Sequence, residues 1–195
     1  MRLARQKPKD RREDMAATSI STRPFTTRAL KAVDPRITAQ QIHSAVKQRK
    51  VIRPLVSSFG KGSVCILSGQ SIAALLVYRT ALAAKIDKAV AIKAGAIVDG
   101  LADFDDCIAT GRTLLVLAAD DVFPVPMTRE DAQEALSNAA DFGAKNGLIP
   151  GQHMPAELAA RGISIIDFGR TWRAVEPILR GLCERQQHCD QADAG

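Results

Sequence analysis

The chain has 195 residues, of which 46% are hydrophobic and 25% charged, the composition of a globular protein with one ordinary domain or two small ones. No apolar run reaches the roughly 18 residues needed to span a bilayer, and the basic opening MRLARQKPKDRRED lacks the apolar centre of a signal peptide, so a cytoplasmic protein with no membrane partner is expected. The net charge of +6 conceals a gradient: residues 1–98 hold 19 Lys/Arg and 5 Asp/Glu, whereas residues 99–195 hold 8 and 16.

Residues 1–22 are polar and rich in charge. They read as a disordered basic tail, unable to bury enough apolar surface to offset the entropy of ordering. A first helix, TTRALKAV, is expected next, capped by Thr26 or Thr27, with Phe25, Leu30 and Val33 on its apolar side. Asp34-Pro35 ends it, because proline disfavours helical backbone in the residue before it. Thr38 caps a second helix over 38–50, TAQQIHSAVKQRK. Its Ile42, Ala45 and Val46 share one face at the i, i+3, i+4 spacing, and Gln40, Gln41, His43, Ser44 and Lys47 occupy the other. Two short helices joined by a tight turn are helix-turn-helix geometry.

Two short β-like runs follow, VIRPLV and SVCIL, around the tip SSFGKG. Gly60 and Gly62 permit a tight hairpin there, with Lys61 at its apex, so a wing is expected at 58–64. Ser68 caps a helix from Gly69 to about Ala84. The run IDKAVAIKAGAIVDGL is helical too, as a continuation or as a separate dimerisation helix. Between Pro35 and Ile86 lie eight basic residues and no acidic one. Such a stretch suits contact with a polyanion, since each carboxylate there would repel phosphate.

The second half changes character. TLLVLA, the turn residues Ala119-Asp120-Asp121 and VFPVP read as a hairpin, with Pro124 and Pro126 confining its second strand to an edge. Thr128 caps a helix, TREDAQEALSNAADFGAKNG, whose first-turn carboxylates suit the helix dipole. GISIIDFG reads as a strand, and RTWRAVEPILRGL as a closing helix containing Pro177. The expected fold class is α+β, with an N-terminal winged helix-turn-helix and a C-terminal small antiparallel sheet with helices. The expected division is a tail at 1–22, a DNA-binding domain at 23–98, an acidic dimerisation or regulatory domain at 99–185, and a flexible tail at 186–195.

From Phe25 to about Ile86, a third of the chain, the sequence resembles the MerR-type winged helix-turn-helix. That family opens on an aromatic residue with Thr/Ser and closes its two short helices with a phrase like GLLRP, here Val51-Ile52-Arg53-Pro54. A glycine-bearing wing follows, here Gly60-Lys61-Gly62-Ser63, and then a third helix begun by a serine, here Ser68. Lys50 stands where the family has glycine, with one apparent extra residue. The resemblance implies binding to double-stranded DNA, with the second helix in the major groove.

The expected DNA contacts follow from this geometry. Gln40 and Gln41 lie in the first turn of the second helix, the part that reaches base edges, and a glutamine can bond adenine bidentately. His43, Ser44 and Lys47 are candidates for base or phosphate. Thr27, Arg28, Lys31 and Lys61 are phosphate candidates, which position without reading sequence. Thr38, Lys50, Arg53 and Ser63 complete the expected set. The expected function is a sequence-specific DNA-binding protein, a transcriptional regulator at the bacterial nucleoid. The alternative is a recombination or excision accessory factor, or another architectural protein of a mobile element.

No enzyme is expected, since no G-x-S-x-G, Gly-rich phosphate loop or H-E-x-x-H occurs. Asp105-Asp106 and Asp120-Asp121 read as turn residues, and Asp167 as a helix cap. The cysteines, Cys65, Cys107, Cys183 and Cys189, form no C-x-x-C pair. The Cys183, His188, Cys189 group fits no common zinc signature, so neither metal nor cofactor is expected. The expected partners are duplex DNA and a second copy of the chain. Phe168, Trp172 and Val175 are expected to be buried across a twofold interface made by the acidic half.

Overall fold

A computed structural model describes residues 19–57, 65–117, 126–134 and 164–192. The extended segment Pro24–Thr26 (β1) leads directly into the helix Thr27–Val33 (α1). Asp34 then turns the backbone to extended values, as the following proline requires. A short helix, Ala39–His43 (α2), runs on into a π-helical turn, Ser44–Gln48. Val56–Ser57 (β2) and Cys65–Ser68 (β3) pair antiparallel, and β1 joins the other edge of β3. Phe25 thereby lies opposite Leu67, and both are buried.

The helix Gly69–Ala83 (α3) is apolar nearly all round: Ile72, Ala73, Ala74, Leu75, Val77, Tyr78 and Ala81 are all buried. Such a helix must be surrounded. It packs against Lys88–Gly100 (α4) and against the C-terminal helix. The α3–α4 contact is close because small residues line it: a Cβ on Gly95 would lie 2.5 Å from Val51 Cγ1 and 3.1 Å from the Ala74 carbonyl oxygen. α3 and α4 are separate helices. Lys85 breaks the chain with φ of 61°, and the Asp87 carboxylate restarts it by accepting from the Ala89 and Val90 N–H groups at 2.8 and 3.2 Å.

The fold is α+β, with small antiparallel sheets among the helices. Phe104–Thr110 (α5) is a helix, so Asp105-Asp106 sit in a helical first turn rather than the expected turn. Its Phe104 and Cys107 are buried, and Gly111 at φ of 73° ends it. Leu114–Leu117 (β4) pairs antiparallel with Ser164–Asp167 (β5), and Met127 bridges Leu114. The remainder of the expected hairpin, at 118–125, lies outside the described residues. Thr128 and Asp131 cap each other at the start of the helical residues 129–134.

The last helix, Phe168–Ala192 (α6), begins earlier than expected and continues through Pro177 into the segment read as a flexible tail. Asp167 starts it, accepting from the Arg170 N–H at 3.0 Å and from Thr113 Oγ1 at 3.0 Å. Phe104 meets Trp172 edge-on at 5.1 Å and Phe168 at 5.9 Å. α6 also packs on α1 and α3. One buried cluster therefore runs from Ile20 to Leu179. The boundary expected at 98/99 falls inside α4, and the core continues across it.

Order begins before the expected end of the N-terminal tail. Ile20 and Ser21 are buried. Ser21 accepts from the Gln70 N–H at 2.8 Å through its carbonyl, and its hydroxyl donates to Asp105 Oδ2 at 2.9 Å. Gly69 allows this approach, since a Cβ there would sit 2.3 Å from the Ile20 carbonyl oxygen. Among the described residues no helix is long and apolar enough to cross a membrane.

Candidate nucleic-acid interface

The α1–α2 turn is built on Asp34. Its Oδ1 accepts from the Arg36 backbone N–H at 3.0 Å and from Arg36 Nε at 3.1 Å, and Arg79 Nη2 of α3 lies 3.3 Å from Oδ2. Burial alone would push this carboxyl up. The Arg36 hydrogen bonds and the charges of Arg79 and Arg36 outweigh it and hold the group below the ordinary carboxylate value. Ile37 is buried beneath the turn.

Thr38 and Gln41 then form a reciprocal capping box. Gln41 N–H donates to Thr38 Oγ1 at 3.2 Å, and the Thr38 N–H donates to Gln41 Oε1 at 3.0 Å. Arg79 Nη1 donates to the same Oε1 at 2.9 Å. An amide oxygen has two lone pairs, and both have partners here. The bidentate adenine contact expected of Gln41 needs that oxygen as acceptor, and in the isolated chain the oxygen is engaged by Thr38 and Arg79. Gln40 beside it is exposed.

A π-helical turn precedes Val51. A π-helical hydrogen bond spans five residues instead of four, and Arg49 N–H reaches Ser44 O at 3.0 Å in that way. Lys50 then takes the left-handed conformation, φ 52°, and Val51 N–H turns back to Ala45 O at 2.8 Å. Lys50 thus occupies a backbone state that favours glycine. The Ser44 hydroxyl is engaged with Gln48 Oε1 at 2.9 Å. The Arg49 guanidinium stands 5.6 Å from the centre of the Tyr78 ring, a cation–π distance.

Arg53 has two roles. Its side chain is exposed, while its backbone N–H donates to Asp99 Oδ2 at 2.8 Å. Asp99 Oδ1 accepts from Ser71 Oγ at 2.6 Å. Burial pushes the Asp99 carboxyl up, against the lowering effect of these two hydrogen bonds and the Arg53 charge. Asp99 thereby fixes the segment between α2 and β2 to both α3 and α4.

The remaining candidates are dispersed around this frame. Arg28, Lys31, Thr38, His43, Lys47 and Lys50 are exposed, and Thr27 is half-buried at the start of α1. Thr26 occupies the cap position of α1 without a side-chain bond to it. Lys61 and Ser63, with the rest of the expected wing tip, lie outside the described residues. Phe168, Trp172 and Val175 are 0%, 3% and 2% exposed in the single chain, where they pack into its own core. A contact between copies would have to use other side chains.

Sequence reasoning missed Arg79, Asp34 and Asp99 as organisers of this surface. The absence of any carboxylate from Pro35 to Ile86 was the available signal: the acids that support the segment had to come from its flanks. Elsewhere Asp103 and Asp106 share a structural partner. Arg112 bridges Asp103 at 3.1 Å and Asp106 at 2.5 Å. Cys65 and Cys107 are buried thiols whose pKa values are raised by burial, with nearby Asp103 adding to the effect at Cys107, and thiols in that state are poor nucleophiles. Among the described residues no group of His, Cys, Asp and Glu is placed to hold a metal; the side chains of His188 and Cys189 lie outside them. No protein-family model matches this chain, and no curated protein matches its sequence.

Proposed function

We propose that this chain is a sequence-specific double-stranded DNA-binding protein and a transcriptional regulator, using residues 23–98 as a MerR-like winged helix-turn-helix. In this reading α2 enters the major groove and the hairpin of β2 and β3 is the wing. The observation that carries it is the outer face of α2 and of the π-helical turn that continues it. Gln40 and His43 on α2 and Lys47 in the turn are exposed there, and the start of α2 is locked by a capping box and by Arg79. The order strand, helix, turn, helix, hairpin, helix and the stretch without carboxylates support the same reading. The chain acts without catalysis, as a homodimer whose contact surface excludes the buried Phe168, Trp172 and Val175.

The test uses the full chain. Affinity for duplex DNA should fall steeply with salt, by roughly 10³–10⁵ between about 50 and 200 mM if six to ten phosphates are contacted. On a target selected from random duplexes, Gln40→Ala should relax discrimination by about 1–3 kcal/mol. Lys31→Ala should weaken selected and random duplexes alike. Absence of duplex binding, or a flat salt response, would overturn the proposal.

A further inference from the structure

A groove of about 880 Å³ opens between the α1–α2 turn, α3 and the β5–α6 junction. Its apolar walls include Val33, Leu76, Ile86, Ile166, Val175 and Ile178. Ile165, also in its lining, is 48% exposed and Ile178 36%, so apolar surface stands open to water. The size is that of a small-molecule site, and such sites combine apolar walls with a few polar groups that fix orientation.

The polar groups of the lining are not equivalent. Both carboxylates are already engaged: Asp34 by Arg36 and Arg79, Asp167 by Thr113, the Arg170 N–H and Arg173. Two guanidinium groups are not used up. Arg36 spends Nε on Asp34, but its side chain is 85% exposed. The Arg170 side chain is exposed and has no partner among the described residues. The groove therefore offers an apolar trough and spare donors in fork geometry. A guanidinium fork matches the two oxygens of a carboxylate.

We propose that this groove binds a small apolar carboxylate, with the hydrocarbon body in the trough and the acid group at Arg170 and Arg36. The proposal does not depend on DNA binding. Calorimetric titration of the full chain with decanoate should show one site per chain with a dissociation constant below about 1 mM. Decanol, which lacks the charge, should bind at least about tenfold more weakly, and so should decanoate to Arg170→Glu, because a charge-assisted hydrogen bond is lost. Ala174 lines the groove and is exposed, so Ala174→Trp should block the trough and abolish binding while circular dichroism stays that of the parent. No binding by about 1 mM, equal affinity for decanol, or unchanged binding in both variants would overturn the proposal. Dissociation of a parent dimer by Ala174→Trp would also overturn it, identifying the groove as a contact between copies.

Discussion

Arg79 lies 3.3 Å from Asp34, and the same guanidinium donates to Gln41 Oε1 at 2.9 Å. One side chain from the central helix thus holds both ends of the α1–α2 turn. Among the described residues, Arg79→Ala leaves a largely buried Asp34 carboxylate without a partner on Oδ2. The expected cost is about 1.5–3 kcal/mol, the range for hydrogen bonds to charged groups, read as a lower urea midpoint. Arg79→Lys should recover part of it, since an ammonium supplies charge without the planar fork. A change in Arg79→Ala of under roughly 0.5 kcal/mol, the range of ordinary surface substitutions, would show the clamp to be idle.

Asp34 and Asp99 should give pH dependences of opposite sign. Asp34 is held below its ordinary value of 3.8. Its contribution is present above 3.8 and is lost as pH falls through the folded-state pKa. Asp99 is pushed above 3.8. Its contribution is fully present below 3.8 and is lost as pH rises through the raised folded-state pKa. Urea melts across the acid range should therefore find the parent gaining on Asp34→Asn with rising pH and losing ground to Asp99→Asn. Differences of the same sign for both variants would contradict the assignment.

Lys50 offers a clean test of backbone strain. A left-handed residue other than glycine costs roughly 1–2 kcal/mol, and glycine returns part of this as added entropy of the unfolded chain. Lys50→Gly should be about 0.5–1 kcal/mol more stable than Lys50→Ala by thermal or urea melting. Both variants remove the same charge, so any loss of DNA affinity should be shared. Equal stability would mean that the π-helical turn relaxes when Lys50 is replaced.

Gly95→Ala should destabilise in spite of the better helix propensity of alanine. The added methyl would meet Val51 Cγ1 at 2.5 Å and the Ala74 backbone at 3.1 Å. Overpacking costs about 1–3 kcal/mol, against about 1 kcal/mol gained in propensity. Because the tightest contact is a side-chain methyl, Val51→Ala in the same chain should recover part of the loss. Simple addition of the two single-site costs would place the strain in the backbone instead.

Local chemistry was legible in the sequence. Thr38, Ser68 and Asp167 cap helices as their positions suggest, because a cap needs a partner within three residues. Long-range pairing was not legible. Nothing in residues 34–41 points to Arg79, and nothing near Arg53 points to Asp99. α5 escaped notice because its paired aspartates resemble turn chemistry and its apolar face is two residues wide, Phe104 and Cys107. The pattern of Phe168, Trp172 and Val175 establishes that these side chains need cover; it does not say whether the cover comes from the same chain. For Gln41, its place in the first turn of the second helix suggested a base-reading residue, whereas the capping box and Arg79 engage its oxygen in the isolated chain.

The packing of α6 on α1 and α3 has a consequence for synthesis. The first and last helices of the described fold complete one core, so the early helices cannot be fully covered while Phe168–Ala192 is still inside the ribosome. Translation at about 5–20 residues per second leaves their apolar sides waiting for seconds, and contacts between distant parts of a chain form slowly. A nascent chain stalled before Phe168 would present Phe104 without its aromatic partners, and α1 and α3 without the helix that packs on them, which makes it a client for chaperones and a target for quality-control proteases.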